Sequence, residues 1–459
     1  MRNNMKKIKH VTGAAVLLAI LGGGIYLNGL MPIITGYAAK NLASAVFVSG
    51  RNAEEVEALD LNFSFIRYTS NTVDSVNKTV TSRFLWGEST AEWSEGYGVT
   101  LLRGTTAEEL RAKRPAQNRR TPAVAHPLPA GDSALSARLE PVARAFVDER
   151  AYNGHPFAFM VLHKGGVVSQ RYGEGIGPDT KLLSWSMAKS FTNAVAGVMA
   201  KDSIVDIYAP TGIAEWQDDG RRDITLSDLM QMQSGLEWNE DYGARSDVNI
   251  MLHCEQDMGR YAASKPLESK PGTHWYYSSG STNIVMQYLR GKFTSDEDFH
   301  NYLRTHLYAP LGIQDIVFEE DMSGTPVGSS YVYATAADFA RFGQMYLDDG
   351  CANGERVLPE GWVKYTCTPA SDSEGCYGAF FWLNRQNYAN NTIAEKKGSK
   401  PDNLPDMPAD LFYCNGHDGQ RIYVIPSEEL VVVVLSYSPK PDNTIDFNRL
   451  LKDIIKVKS

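Results

Sequence analysis

The chain has 459 residues, 43% hydrophobic and 22% charged, so it can bury a full core and is long enough for more than one folded unit. Its net charge of −9, with no basic stripe or interleaved aromatic run, excludes nucleic acid as a partner. Five cysteines without a C-x-x-C spacing, and no paired histidines, exclude a structural zinc centre or a thioredoxin-like motif.

The first forty residues depart from this composition. Arg2, Lys6, Lys7 and Lys9 form a basic cluster, and no charged residue follows from Val11 to Ala39. The stretch VTGAAVLLAILGGGIYLNGLM is long enough to cross a hydrocarbon layer of roughly 30 Å. Its flanking cations would stay cytoplasmic. The expectation is a membrane anchor over 1–40, with the rest of the chain exported to the periplasmic or extracellular side. The alternative is a signal peptide cleaved after Gly36-Tyr37-Ala38. Residues 41–135 are weakly periodic and end in the polar RAKRPAQNRRTPAVAHPLPAGD, so they read as an extension and linker.

From Ser136 the pattern sharpens. LEPVARAFVDERA has helical spacing, with Leu139, Val142, Phe146 and Val147 on one face. FAFMVLHKGGVVSQRYG reads as a hairpin about Lys164-Gly165-Gly166. SMAKSFTNAVAGVMAKD predicts a buried helix starting at or near Ser186. Residues 206–399 are helix-rich, with capping boxes at Thr225-x-x-Asp228 and Thr335-x-x-Asp338. LFYCNG, QRIYVIP and LVVVVLSYS return to strands, and DFNRLLKDIIKV is an amphipathic helix. The fold expected is α/β: one antiparallel sheet from 136–205 and 400–459, flanked by helices, with a helical insertion over 206–399. Export would permit a disulfide, for example between Cys367 and Cys376, although sequence fixes no pairing.

Ser186-x-x-Lys189 is the central chemical feature. Residues three apart share a helix face, so the lysine can reach the serine hydroxyl. It can act as a base only if burial lowers its pKa well below about 10.4. The same spacing recurs at Ser75-Val76-Asn77-Lys78, but in a polar run with no apolar helix after it, where the lysine would stay solvated. Two further segments follow in order: Tyr277-Ser278-Ser279 before the apolar TNIVMQYL, and Gly416-His417-Asp418-Gly419-Gln420 before QRIYVIP.

Ser-x-x-Lys, then Tyr-x-Ser, then His-Asp-Gly on a late strand resembles class C β-lactamases, D-alanyl-D-alanine peptidases and their esterase and amide-hydrolase relatives, and the 6-aminohexanoate-dimer hydrolases most of all. The resemblance spans roughly Leu139 to Val457. It implies a β-lactamase/transpeptidase-like fold and a serine hydrolase with no cofactor or metal. It implies that Ser186 attacks the substrate carbonyl, Lys189 takes its proton and Tyr277 relays a proton to the leaving group. Backbone N–H groups of Ser186 and Gln420 would form the oxyanion hole, and Ser279, His417, Asp418 and Gly419 would line the pocket. Two departures bear on substrate. β-Lactamases and D,D-peptidases usually carry a lysine where His417 stands and an asparagine where Ser279 stands. Both changes weaken recognition of a penicillin-like anion, so small esters or short linear amides are the expected substrates. The alternatives are a β-lactamase or D,D-carboxypeptidase, and a catalytically idle binding protein of the same fold. No Gly-x-Ser-x-Gly elbow supports an α/β-hydrolase triad.

Overall fold

A helix of 46 residues, α1 (Arg2–Phe47), opens the computed structural model. The structure describes residues 2–114, 127–385, 399, 401–439 and 443–458, without the side chains of 2–21. Much of the polar stretch read as a linker (115–126) therefore lies outside the described residues, as does the first half of the apolar stretch from Val11 at the level of side chains. Among the described residues no helix is long and apolar enough to cross a membrane.

The second half of α1 is apolar for another reason. Met31, Ile34, Ala38, Leu42 and Ala43 are buried against Val80, Ala91 and Val99 of a small sheet. That sheet is the antiparallel meander β1 (Ser70–Asp74), β2 (Thr79–Phe84), β3 (Gly87–Ser94) and β4 (Gly98–Leu101). Alanines at 38, 39 and 43 carry little side chain, which lets the helix lie close on the strands. The helix runs unbroken past residue 40, where the sequence suggested a boundary between anchor and extension.

A buried ion pair fixes this N-terminal unit to the rest. Lys40 pairs with Glu319, whose carboxylate also accepts from Ser44 Oγ (3.0 Å) and the Val99 N–H (2.8 Å). Arg103 adds hydrogen bonds to the carbonyls of His253 (2.7 Å) and Pro32 (3.0 Å).

The main sheet has six antiparallel strands. They are β5 (Pro156–His163), β6 (Gly166–Tyr172), β7 (Trp382–Leu383), β8 (Phe412–Asn415), β9 (Arg421–Ile425) and β10 (Leu430–Ser436), in the order β7-β8-β9-β10-β5-β6. β10 is buried along its whole length, so helices must cover both faces of the sheet. Helix α2 (Ser133–Val147) packs on β5 and β6 beside the terminal α6 (Phe447–Lys458); α5 (Ala336–Leu347) packs on β10, β9 and β5. At Gly343 of α5 a Cβ would stand 2.6 Å from Val431, so the close approach of helix to sheet needs glycine there.

Between these layers lie the buried helix α3 (Ala188–Lys201) and its neighbour α4 (Ser279–Arg290). The hairpin at 164–166, the three late strands and the capping box at Thr225 stand where the sequence pattern predicts them, and Thr335 caps α5 by accepting from the Asp338 N–H. Thr225 caps only the five-residue helix Leu226–Met230, because Met232 takes a left-handed φ of 60°. Other features differ from expectation. β7 joins the sheet from within the expected helical insertion, because two residues give no periodicity to read. All five cysteines are free thiols, so Cys367 and Cys376 form no disulfide.

Candidate active site

Ser186 lies in a 3₁₀ turn, Trp185–Met187, that runs straight into α3. Trp185 is held at a φ of 45°, a conformation that a bulky side chain adopts only when its surroundings compel it. Its ring is packed between Tyr37 of α1 (6.2 Å, stacked) and His417 (5.9 Å, edge-on). The residue before the serine is therefore clamped by the N-terminal unit on one side and the late-strand loop on the other.

One turn into α3, Lys189 is 1% exposed. Its Nζ is 3.1 Å from Ser186 Oγ, 3.0 Å from Ser279 Oγ and 3.2 Å from the Ser329 carbonyl. It also sits 4.8 Å from the centre of the Tyr277 ring. Burial pushes this lysine down to about 8, against the opposing pull of Glu240. The neutral amine can keep two hydrogen bonds as a donor and turn its lone pair to the Ser186 proton.

Tyr277 is 4% exposed and packed on Tyr377 (5.9 Å) and Trp382 of β7 (5.5 Å). It lines the same cavity as Ser186. Burial, then the nearby Glu240 carboxylate, hold its pKa well above the usual tyrosine value, so the phenol stays protonated.

Behind Ser279, the buried Glu240 accepts from Ser279 Oγ (2.5 Å), the Ser279 N–H (2.9 Å), Trp238 Nε1 (2.5 Å) and Tyr242 OH (2.9 Å). This carboxylate and Tyr242 are absent from the sequence reading. Only the fold brings WNEDYG onto the start of α4. Arg421, also unforeseen, lines the Ser186 cavity but is held by Asp402 in a two-pronged ion pair at 2.7 Å.

Ser186, Tyr242, Tyr277, Gly416, His417, Asp418 and Gly419 line one cavity. Gly416 rests so close on the serine turn that a Cβ there would lie 2.3 Å from the Ser184 carbonyl. His417 Nε2 is 3.2 Å from Asp418 Oδ1, so an anionic neighbour offsets any charge it gains. Gln420 differs from the expectation that its N–H faces the nucleophile. That N–H points to the His417 carbonyl (3.4 Å), the Gln420 side chain bonds to both backbone groups of Ser436, and the residue lines a separate cavity behind Trp185. Asp418 takes a φ of 55° within the short 3₁₀ turn 417–419. The decoy Ser75 and Lys78 occupy the exposed β1–β2 turn. Among the described residues no cluster of His, Cys, Asp and Glu could hold a metal ion.

The beta-lactamase family profile matches residues 142–453, well over half of the chain and inclusive of Ser186, Lys189, Glu240, Tyr277 and the 416–421 segment. The chain belongs to the beta-lactamase family. As a member it is a serine hydrolase with a β-lactamase/transpeptidase-like fold. It is similar to 6-aminohexanoate-dimer hydrolase of Paenarthrobacter ureafaciens, 25% identical over 352 residues that cover 70% of this chain and 83% of the relative. Two solved structures share the fold. A Bacillus anthracis protein described as a candidate 6-aminohexanoate-dimer hydrolase superimposes with a TM-score of 0.53 at 20% identity, covering 67% of this chain and 79% of its own. A penicillin-binding protein homologue of Caulobacter crescentus gives 0.52 at 14%, covering 72% and 98%. The match to the family profile begins inside α2, so the meander and α1, whose Tyr37 stacks on Trp185, lie outside it.

Proposed function

We propose that this family member is an exported hydrolase that cleaves esters or short linear amides through an acyl-enzyme on Ser186. The observation that carries the reading is the buried Lys189 amine, 3.1 Å from the serine and in direct contact with hydroxyls and a carbonyl. Neutral Lys189 takes the Ser186 proton as Oγ bonds to the substrate carbonyl carbon. The carbonyl oxygen becomes an oxyanion, stabilised by the Ser186 N–H. Tyr277, protonated at rest, hands its proton to the leaving group and is resupplied from Lys189. Water then attacks the acyl carbon while the same groups run in reverse, and Ser186 regains its proton.

Substrate class follows from the cations of the cavity. Arg421 is neutralised by Asp402, and His417 sits beside Asp418. Among the described residues a carboxylate-bearing β-lactam finds no unopposed cation there, whereas a neutral ester needs none. This favours esters and linear amides over the β-lactamase or D,D-carboxypeptidase reading. Hydrolysis of p-nitrophenyl butyrate, nitrocefin and a D-Ala-D-Ala peptide, measured side by side, tests it. The proposal expects clear turnover of the ester and little of the other two. Nitrocefin turnover equal to that of the ester would replace it with the β-lactamase reading, and no turnover of any would leave the idle binding protein.

We place the catalytic unit on the outer side of a membrane, tethered through α1. Support comes from the four cations before Val11 and the uncharged stretch after it. Residues 11–30, those ahead of the buried part of α1, would reach roughly 30 Å as a helix at about 1.5 Å per residue.

A further inference from the structure

Eleven large apolar side chains are exposed among the described residues, and seven of them gather at one end of the N-terminal unit. Ile25, Tyr26 and Leu27 stand on α1 just before it enters the fold, at 76%, 54% and 40% exposure. Leu85 and Trp86 form the tip of the β2–β3 turn, at 67% and 59%. The two groups touch: Trp86 Nε1 donates to Asn28 Oδ1 at 3.1 Å, and Gly87 packs on Met31. Phe65, whose ring lies 6.2 Å from that of Phe84, and Tyr68 complete the patch. The register Ser70↔Arg83 puts the start of β1, and so Tyr68, at the same end of the sheet.

Burial within the protein cannot account for these side chains. They surround the point where α1 leaves the fold toward VTGAAVLLAIL, a run with no charge. The composition is that of a bilayer boundary: tryptophan and tyrosine with one polar end, aliphatics beside them, and a rim of cations. Arg67 and Arg245 provide that rim. Arg67 is exposed next to Tyr68, and the exposed Arg245 guanidinium lies against α1 at Gly29. Guanidinium groups at this level suit lipid phosphates.

We propose that this end of the N-terminal unit rests in the lipid–water boundary of a phospholipid bilayer, with Leu85 and Trp86 inserted beside α1. The inference deepens the tethering reading and rests on it. It adds a second point of contact, remote in sequence, that fixes the orientation of the catalytic unit instead of leaving it to swing on one helix.

The test uses the full chain with vesicles of phosphatidylcholine and phosphatidylglycerol whose acyl chains are brominated near the headgroup. Brominated lipid quenches tryptophan only on contact, and comparison with Trp86→Phe isolates the Trp86 emission from that of the other seven tryptophans. The expected result is that the chain sediments with vesicles and that most of the emission difference between wild type and Trp86→Phe is lost on bromination. Sedimentation with no loss of that difference overturns the inference and leaves the tether standing. A chain that stays in the supernatant overturns both. Concentration-dependent dimerisation that shields Trp86 from the lipid would assign the patch to a second copy and also overturn it. Trp86→Phe should retain wild-type ester hydrolysis, because position 86 lies outside the cavity of Ser186.

Discussion

Lys40 and Lys189 are buried almost equally, at 3% and 1% exposure, and burial pushes the pKa of each down. Their partners differ. Lys40 touches the carboxylate of Glu319, whose own pKa burial raises, and the pair joins the N-terminal unit to the catalytic unit. Lys189 touches two hydroxyls and a carbonyl, and its nearest carboxylate, Glu240, stands one residue further off, behind Ser279. A buried lysine paired directly with a carboxylate serves as a clamp between two parts of the fold. One held at a remove from its counter-charge can release the proton near neutral pH and act as a base.

Exchanging the two lysines' fates is the strongest way to break this comparison. Lys189→Met should lower kcat/KM for p-nitrophenyl butyrate by about 10²–10⁴-fold or more, since a positioned base acts as a unit with its nucleophile. Its melting temperature should stay near wild type. Lys40→Met should do the reverse: leaving Glu319 buried and unpaired costs about 3–5 kcal/mol of stability, while turnover per folded molecule persists. Stability measured by denaturant and rates measured on the folded fraction separate the two.

A smaller effect concerns pH. Since the neutral lysine is the active form, kcat/KM should rise as pH climbs through about 8, where Lys189 loses its proton, and then level off. Glu240 pulls that pKa upward, so Glu240→Gln should move the rising limb to lower pH. A limb that stays in place would mean Glu240 does not set the charge of Lys189. The smallest expected change is in specificity. His417→Lys should improve turnover of anionic β-lactams relative to neutral esters, within the roughly 1.5–3 kcal/mol that a charge-assisted hydrogen bond contributes.

What could be read beforehand follows the same division. Lys189 was legible because an apolar helix follows it, and the polar run around Lys78 marked the decoy as solvated. Lys40–Glu319 was not, since the partners are 279 residues apart and neither has a local signature. The uncharged stretch of α1 before Lys40 pointed to lipid, although from Met31 onward it packs against a sheet. That sheet was itself invisible, because β1 has no buried position and gives no alternation of apolar residues. Tyr37 shared this fate: it looked like part of a cleavage site, and it stacks on the residue before the nucleophile. The site was legible where one helix turn carries the chemistry. It was not legible where distant segments converge, as Glu240, Tyr242 and Arg421 do.

The central claim is that Ser186, activated by Lys189, is the nucleophile. A fluorophosphonate probe bonds covalently to an activated serine, and peptide mass spectrometry then locates the adduct. The account predicts a single adduct on Ser186, lost in Ser186→Ala, strongly slowed in Lys189→Met and unaffected in Ser75→Ala. An adduct on any other serine, or undiminished labelling in Lys189→Met, would contradict it.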